Sequence, residues 1–339
     1  MFEFISYDQQ VLFQTPTYEK NTKLNNALKS HAAMLTANVS WGLMSPMAKI
    51  VMATGIISPL VLTDLRIMGA MLLFWLTSFF MPAEHVRHRD LARLFVASLL
   101  AIVFNQGSFI FGVSLTSPAD ASIITTSMPL WAMVLAALFL KEPITGKKVI
   151  GIAAGASGAL LLIMGNDATS HAASSPLTLR SVAGDLLVLT AQLSYAAYLV
   201  FFKGFARKYT LVTIMKWMFT YAFIITLPLS CRGLFSTHWE QLSLQAWGVI
   251  AFIVVTATFL SYMFIVVGQK YLRPTVAGMY NYVQPIVACV VSICLGMDHL
   301  NAMKIAAIFL IFAGVYLVSI SRTKSQVEAY EKRKQPTEP

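Results

Sequence analysis

The chain of 339 residues is 57% hydrophobic and 12% charged, with a mean hydropathy of +0.67, whereas a soluble domain carries about 25% charged residues. That composition excludes a substantial soluble domain and predicts an all-α integral membrane protein. The net charge of +10 does not signal nucleic acid, because the basic residues fall in short connections and at the two ends, where they set membrane orientation.

In chain order, residues 1–30 carry Tyr7, Asp8, Glu19, Lys20 and Lys23 and read as a cytoplasmic N-terminal tail. They lack the basic start, apolar core and small-residue cleavage site of a removable signal. Apolar runs bounded by charge, Pro or Gly then predict spans over 31–51, 60–81, 91–113, 118–140 and 147–165. A stretch rich in Ala, Ser and Thr makes 166–180 the expected linker. Five further spans come next over 181–203, 211–230, 246–267, 274–295 and 302–320, and the charged, Pro-ended stretch 323–339 reads as a cytoplasmic C-terminal tail. Ten transmembrane helices are thus expected. Helices are required because hydrocarbon offers free N–H and C=O groups no partner, and no segment alternates as barrel strands do.

With the N-terminus inside, the cytoplasmic tails and loops hold nineteen of the 25 Lys and Arg. Outside remain Arg180, Arg232 and Lys304, while Lys49, Arg66 and Lys216 fall within spans. This imbalance predicts cytoplasmic termini; the expected location is the plasma membrane, the inner membrane if the source is bacterial.

The chain also contains itself twice. At a shift of 156 residues Pro118 meets Pro274, Pro129 meets Pro285, Gly112 meets Gly268, Lys148 meets Lys304, Gly158 meets Gly314, and Glu142 meets Asp298. Five spans per copy is an odd number, so the second copy enters the bilayer from the opposite side. The expected architecture is two inverted-topology five-helix repeats, 31–165 and 181–322, an arrangement typical of transporters.

The motif of Pro129 with an apolar run to Glu142, followed by Gly146, Gly151, Gly155 and Gly158, has a second copy at Pro285, Asp298 and Gly314. It resembles the EamA family of the drug/metabolite transporter superfamily over about residues 31–322. The resemblance implies a ten-helix carrier of two inverted halves that moves small metabolites such as amino acids or amines, often outward. The second copy departs from the pattern in having Asp298 for the usual glutamate and Ala307 opposite Gly151.

Proline within a span leaves the carbonyl four residues earlier without its donor and bends the helix. Pro129 and Pro285 free the carbonyls of Thr125 and Asn281, which are expected either to face a wet central cavity or simply to accompany a packing kink. At a shift of 154, Asn38 and Trp41 of the first span meet Gln192 and Tyr195 of the sixth. Each pair is three apart and so shares a helical face, giving an amide and an amphipathic aromatic per half. An interhelical hydrogen bond that only holds the bundle together is the alternative.

Asn105 and Gln106 correspond to Ser261 and Tyr262, and Thr126 to Tyr282. With Tyr280 and Gln284 they offer amides and phenols suited to a zwitterion or sugar-like solute. Arg66 and Lys216 correspond to one another. Each reads either as a cation snorkelling to the headgroups or as the anchor of a substrate carboxylate or phosphate. Asp120, in a first helical turn, either complements the helix dipole or titrates. The small-residue face of Gly151, Gly155 and Gly158 suits packing against a neighbouring helix more than dimerisation.

The leading expectation is therefore a carrier, monomeric or homodimeric, whose partners are a small-molecule solute and the bilayer. No GxxxxGK[ST] loop is present, which argues against ATP hydrolysis. An intramembrane enzyme is the first alternative, but HExxH and GxSxG are absent and the histidines fall in loops or at a span edge. A membrane assembly or receptor protein is the second. Cys231, Cys289 and Cys294 show no metal-ligand spacing, so no metal and no cofactor are expected.

Overall fold

The computed structural model describes residues 16–140, 146–168, 176–202, 205, 208–272 and 280–319. The expectations for Glu142 and Pro274, for residues 1–15 of the N-terminal tail, for part of the linker and for the C-terminal tail concern residues outside these. Among the described residues there is no strand. The main helices of the described residues are, in chain order, α1 Pro16–Ala53, α2 Pro59–Ser78, α3 His88–Leu115, α4 Pro118–Leu140 and α5 Gly146–Ala168. Then come α6 Pro176–Phe202, α7 Leu211–Ser236, α8 in three pieces (Leu244–Ala251, Phe252–Leu260 and Ser261–Tyr271), α9 Tyr280–Cys294 and α10 Ala302–Ser319.

Six of them, α2, α3, α4, α6, α7 and α8, are long and apolar enough to cross a membrane. Shorter apolar helices occupy Val149–Leu161, Tyr280–Cys294 and Ala302–Leu317. Helix α1 begins at Pro16, well ahead of the apolar run at 31, so residues 16–30 are helical and continuous with it. Large apolar side chains such as Phe80, Leu229, Phe235 and Phe309 are exposed, as expected of surfaces that lipid covers.

Local chemistry sets the helix starts. Ser58 and Ser117 accept hydrogen bonds from the backbone N–H of Val61 and Asp120, with Pro59 and Pro118 in the first helical position, where the missing N–H costs nothing. Thr210 and Ser243 cap α7 and α8 in the same way.

The packing exchanges the two copies: α1 lies against α8 and α9, and α6 lies against α3 and α4. Helix α2 pairs with α7 and α5 with α10. Glycine permits the corresponding close approaches. A Cβ on Gly112 of α3 would stand 2.8 Å from the Gly184 carbonyl of α6, and one on Gly268 of α8 would press on the Met34 side chain of α1. Since lipid is as apolar as the side chains, such close contacts and interhelical hydrogen bonds hold the bundle.

Candidate functional site

Two helices carry a π-helical segment at corresponding places, Leu99–Phe104 in α3 and Phe252–Leu260 in α8. The extra residue of a wide turn re-aims the side chains beyond it. Those side chains are Asn105 and Gln106 in one copy and Ser261 and Tyr262 in the other. In α8 the wide turns are tied by hydroxyls, Thr258 Oγ1 donating to the Ile253 carbonyl and Ser261 Oγ to the Thr256 carbonyl, both at 2.8 Å. In α3 the Leu100 carbonyl accepts from Ser194 Oγ of α6 at 2.7 Å.

Helix α4 is interrupted at Thr126–Ser127, where the N–H groups bond to carbonyls three residues back, just before Pro129. In α9 the one-turn 3₁₀ segment Tyr280–Tyr282 precedes the stretch containing Pro285. The expected proline break is therefore present before Pro129, and both Thr125 and Asn281 line a central cavity. The Thr125 hydroxyl itself donates to the Ser122 carbonyl at 2.6 Å.

The cavity has a volume of about 790 Å³, within the range of small-molecule sites. Of the sequence-predicted residues it gathers Trp41, Asn105, Gln106, Thr125, Gln192 and Tyr195. Tyr262, Asn281 and Arg66 also face it, as do Gln284, Thr126 and Tyr282. Two apolar clusters meet here: Phe109, Tyr282 and Val315 adjoin one, and Tyr195 and Tyr262 adjoin the other. Trp41 meets the Tyr262 ring edge-to-face at 6.0 Å, a geometry that fixes two large apolar surfaces.

Three predicted residues lie elsewhere. Asn38 is fully buried, donating to the Met34 carbonyl at 2.8 Å and accepting from Gln284 Nε2 at 2.8 Å. It therefore positions a cavity residue while its counterpart Gln192 lines the cavity directly. The Tyr280 hydroxyl is bonded to His31 Nδ1 at 2.7 Å. Lys216 sits with its ammonium 4.9 Å from the centre of the Trp75 ring, whereas Arg66 is 3% exposed and donates from Nε to Thr258 Oγ1 at 3.2 Å. The two corresponding cations thus have different environments.

One end of the bundle is tightly bonded. Lys49 Nζ caps the C-terminal carbonyls of α3, donating to Val113, Ser114 and Thr116 at 2.9, 3.0 and 2.8 Å, where the helix dipole favours a cation. Ser45 Oγ donates to the Pro118 carbonyl at 3.0 Å. Lys304 of α10 lies 3.0 Å from Asp120 of α4 and also bonds Asp298, whose other oxygen accepts from Ser117 at 2.8 Å. Asp120 is thus an ion-pair partner, beyond the dipole role expected of it.

Sequence reasoning missed the π segments and two more buried carboxylates. Asp64 accepts from Thr226 at 2.6 Å, and Asp185 accepts from Thr116 at 2.6 Å. The available signal was an acid within an apolar run, where each has a polar partner.

A family model described as EamA-like transporter family matches residues 28–164 and again residues 182–320. The uncharacterized transporter YyaM of Bacillus subtilis (strain 168) is 26% identical over 228 residues, covering 66% of this chain and 72% of that one. An uncharacterized transporter of Archaeoglobus fulgidus is 23% identical over 77% of this chain and 89% of its own. A solved crystal structure superposes with a TM-score of 0.56 at 16% identity, over 90% of this chain and 99% of its own, a likeness of fold alone. The repeated match to one model over both halves places the chain in the EamA-like transporter family, as a membrane transporter and not an enzyme.

Proposed function

We propose that the chain is a secondary carrier that moves small metabolites, in the range of amino acids and amines, outward by alternating access. In this reading ten spans form two inverted five-helix repeats, 31–165 and 181–322, with both termini cytoplasmic in the plasma membrane. The halves rock about a midplane site. One observation carries the reading: a cavity of about 790 Å³ whose walls come from both copies at corresponding positions. Trp41 answers Tyr195, Thr125 answers Asn281, and Gln106 answers Tyr262 around it.

The bonding of Lys304, Asp120, Asp298 and Ser117 supports a state closed at that end. Among the described lining residues there is no carboxylate, which favours exchange or facilitated efflux over proton coupling. A thermal-shift screen over metabolite classes, followed by counterflow of the hits in proteoliposomes, tests the function. Flux is expected to fall in Gln192→Ala and Tyr195→Ala while folded yield is retained. Absence of flux for every class, with protein that remains folded, refutes the proposal.

A further inference from the structure

Arg66 is the one charged side chain among the described residues that line the cavity. Guanidinium is always protonated in proteins, and an isolated buried charge is costly unless something pairs with it. Here the group is 3% exposed, its Nε is satisfied by Thr258, and its Nη1 has no hydrogen-bond partner. No salt bridge among the described residues involves it. Gln106, which like Arg66 lies against the Tyr262 side chain, is also 3% exposed, and neither atom of its amide makes a hydrogen bond of normal geometry. A long flexible stem can carry such a cation toward the headgroups, yet this one is turned inward. The cavity therefore presents one uncompensated positive charge, adjacent amide capacity, and aromatic walls at Trp41, Tyr195 and Tyr262.

We infer that the cavity selects solutes bearing a carboxylate, which Arg66 and Gln106 seat together while the apolar part of the solute lies against Trp41 and Tyr195. A guanidinium fork matches a planar carboxylate. A single positive charge suits a monoanion; a phosphate dianion needs a second cation, and no described residue of the wall provides one. Amines without a carboxylate meet like charge and find no acid among the described lining residues. The inference rests on the carrier reading and narrows its substrate range to the acid-bearing members.

The test uses the full chain and a matched set of ligands: phenylalanine, 3-phenylpropionate, phenethylamine and phenyl phosphate. Equilibrium binding to the purified protein in detergent is expected to favour phenylalanine and 3-phenylpropionate about tenfold or more over the other two, the effect of one charge-assisted hydrogen bond. Arg66→Gln is expected to weaken binding of the carboxylates by about tenfold to a hundredfold, and Arg66→Lys to retain part of it. The selectivity of the unaltered protein decides the matter even if Arg66→Gln does not fold. Phenethylamine or phenyl phosphate binding as tightly as 3-phenylpropionate, carboxylate binding unchanged in folded Arg66→Gln, or no binding of either carboxylate overturns the inference. Counterflow separates the two levels: transport of phenethylamine in place of phenylalanine sinks the carboxylate selection and leaves the carrier standing. Carboxylate binding without flux of any solute sinks the carrier reading and keeps the binding site.

Discussion

Replacing Lys304 by methionine tests the bonded end of the bundle. Lys304 lies 3.0 Å from Asp120 and bonds Asp298, and the three side chains are 9%, 1% and 8% exposed. Methionine keeps the bulk of the side chain and removes its charge, leaving two buried carboxylates with each other and with Ser117 as company. Breaking a buried pair by removing one partner costs about 3–5 kcal/mol, because the remaining charge is left uncompensated. The contact joins the first turn of α4 to the first turn of α10 and the connection before it, so the loss is also expected to ease separation of the two halves at this end. Unfolding in mixed micelles titrated with SDS gives the stability. Lys304→Met should lose about 3–5 kcal/mol, and adding Asp120→Asn and Asp298→Asn should restore most of it, since removing the whole charged group is close to neutral. A loss below about 1 kcal/mol, or a triple variant no more stable than the single one, refutes the assignment of these residues as a mutually dependent ion-pair cluster.

Three further outcomes rest on other contacts. Asn38→Ala removes the bond to Gln284 and should lower stability by about 0.6–2 kcal/mol in the same unfolding titration, whereas Gln192→Ala should change flux more than stability. Gly314→Ala would put a Cβ 2.5 Å from the Gly151 carbonyl and 2.6 Å from the Gly155 nitrogen; the α5–α10 pair must part, at about 1–3 kcal/mol, read as reduced folded yield. Burial pushes the Glu84 carboxyl up, but hydrogen bonds from Thr213 and Thr210, with Lys216 nearby, outweigh it and hold the group below its ordinary range. Its contribution is therefore present above the unfolded pKa and lost as pH falls through the depressed folded value. Glu84 is only partly buried, so the difference from Glu84→Gln should stay under about 1 kcal/mol at neutral pH and vanish in acid.

The sequence shows the architecture where backbone chemistry forces it. Paired prolines pointed to the interruption before Pro129 and to Thr125 and Asn281, because a missing N–H has the same consequence in any neighbourhood. The spacing of Asn38 and Trp41, like that of Gln192 and Tyr195, puts each pair on one helical face. It could not say which neighbour waits there: Gln284 takes up Asn38, while Gln192 meets the cavity. Arg66 and Lys216 correspond in the repeat, yet one is sealed against Thr258 and the other rides on Trp75, a difference set by tertiary packing. The π segments were invisible because no residue type encodes the extra residue; only the Thr258 and Ser261 hydroxyls that tie the wide turns leave a trace. The cluster of Asp120, Asp298 and Lys304 joins residues far apart in the chain, and helical periodicity does not report such pairs.

The central claim is that solute passes through the cavity between the halves. Thr125 lines it at the interruption of α4, and Cys231, Cys289 and Cys294 can be replaced by serine to leave a single thiol at Thr125→Cys. In sealed proteoliposomes supplied with a transported solute, a membrane-impermeant thiol reagent should react at this position from either face in turn. The reaction should abolish counterflow and be slowed by the solute. A thiol that stays unreactive from both faces while counterflow proceeds contradicts the account.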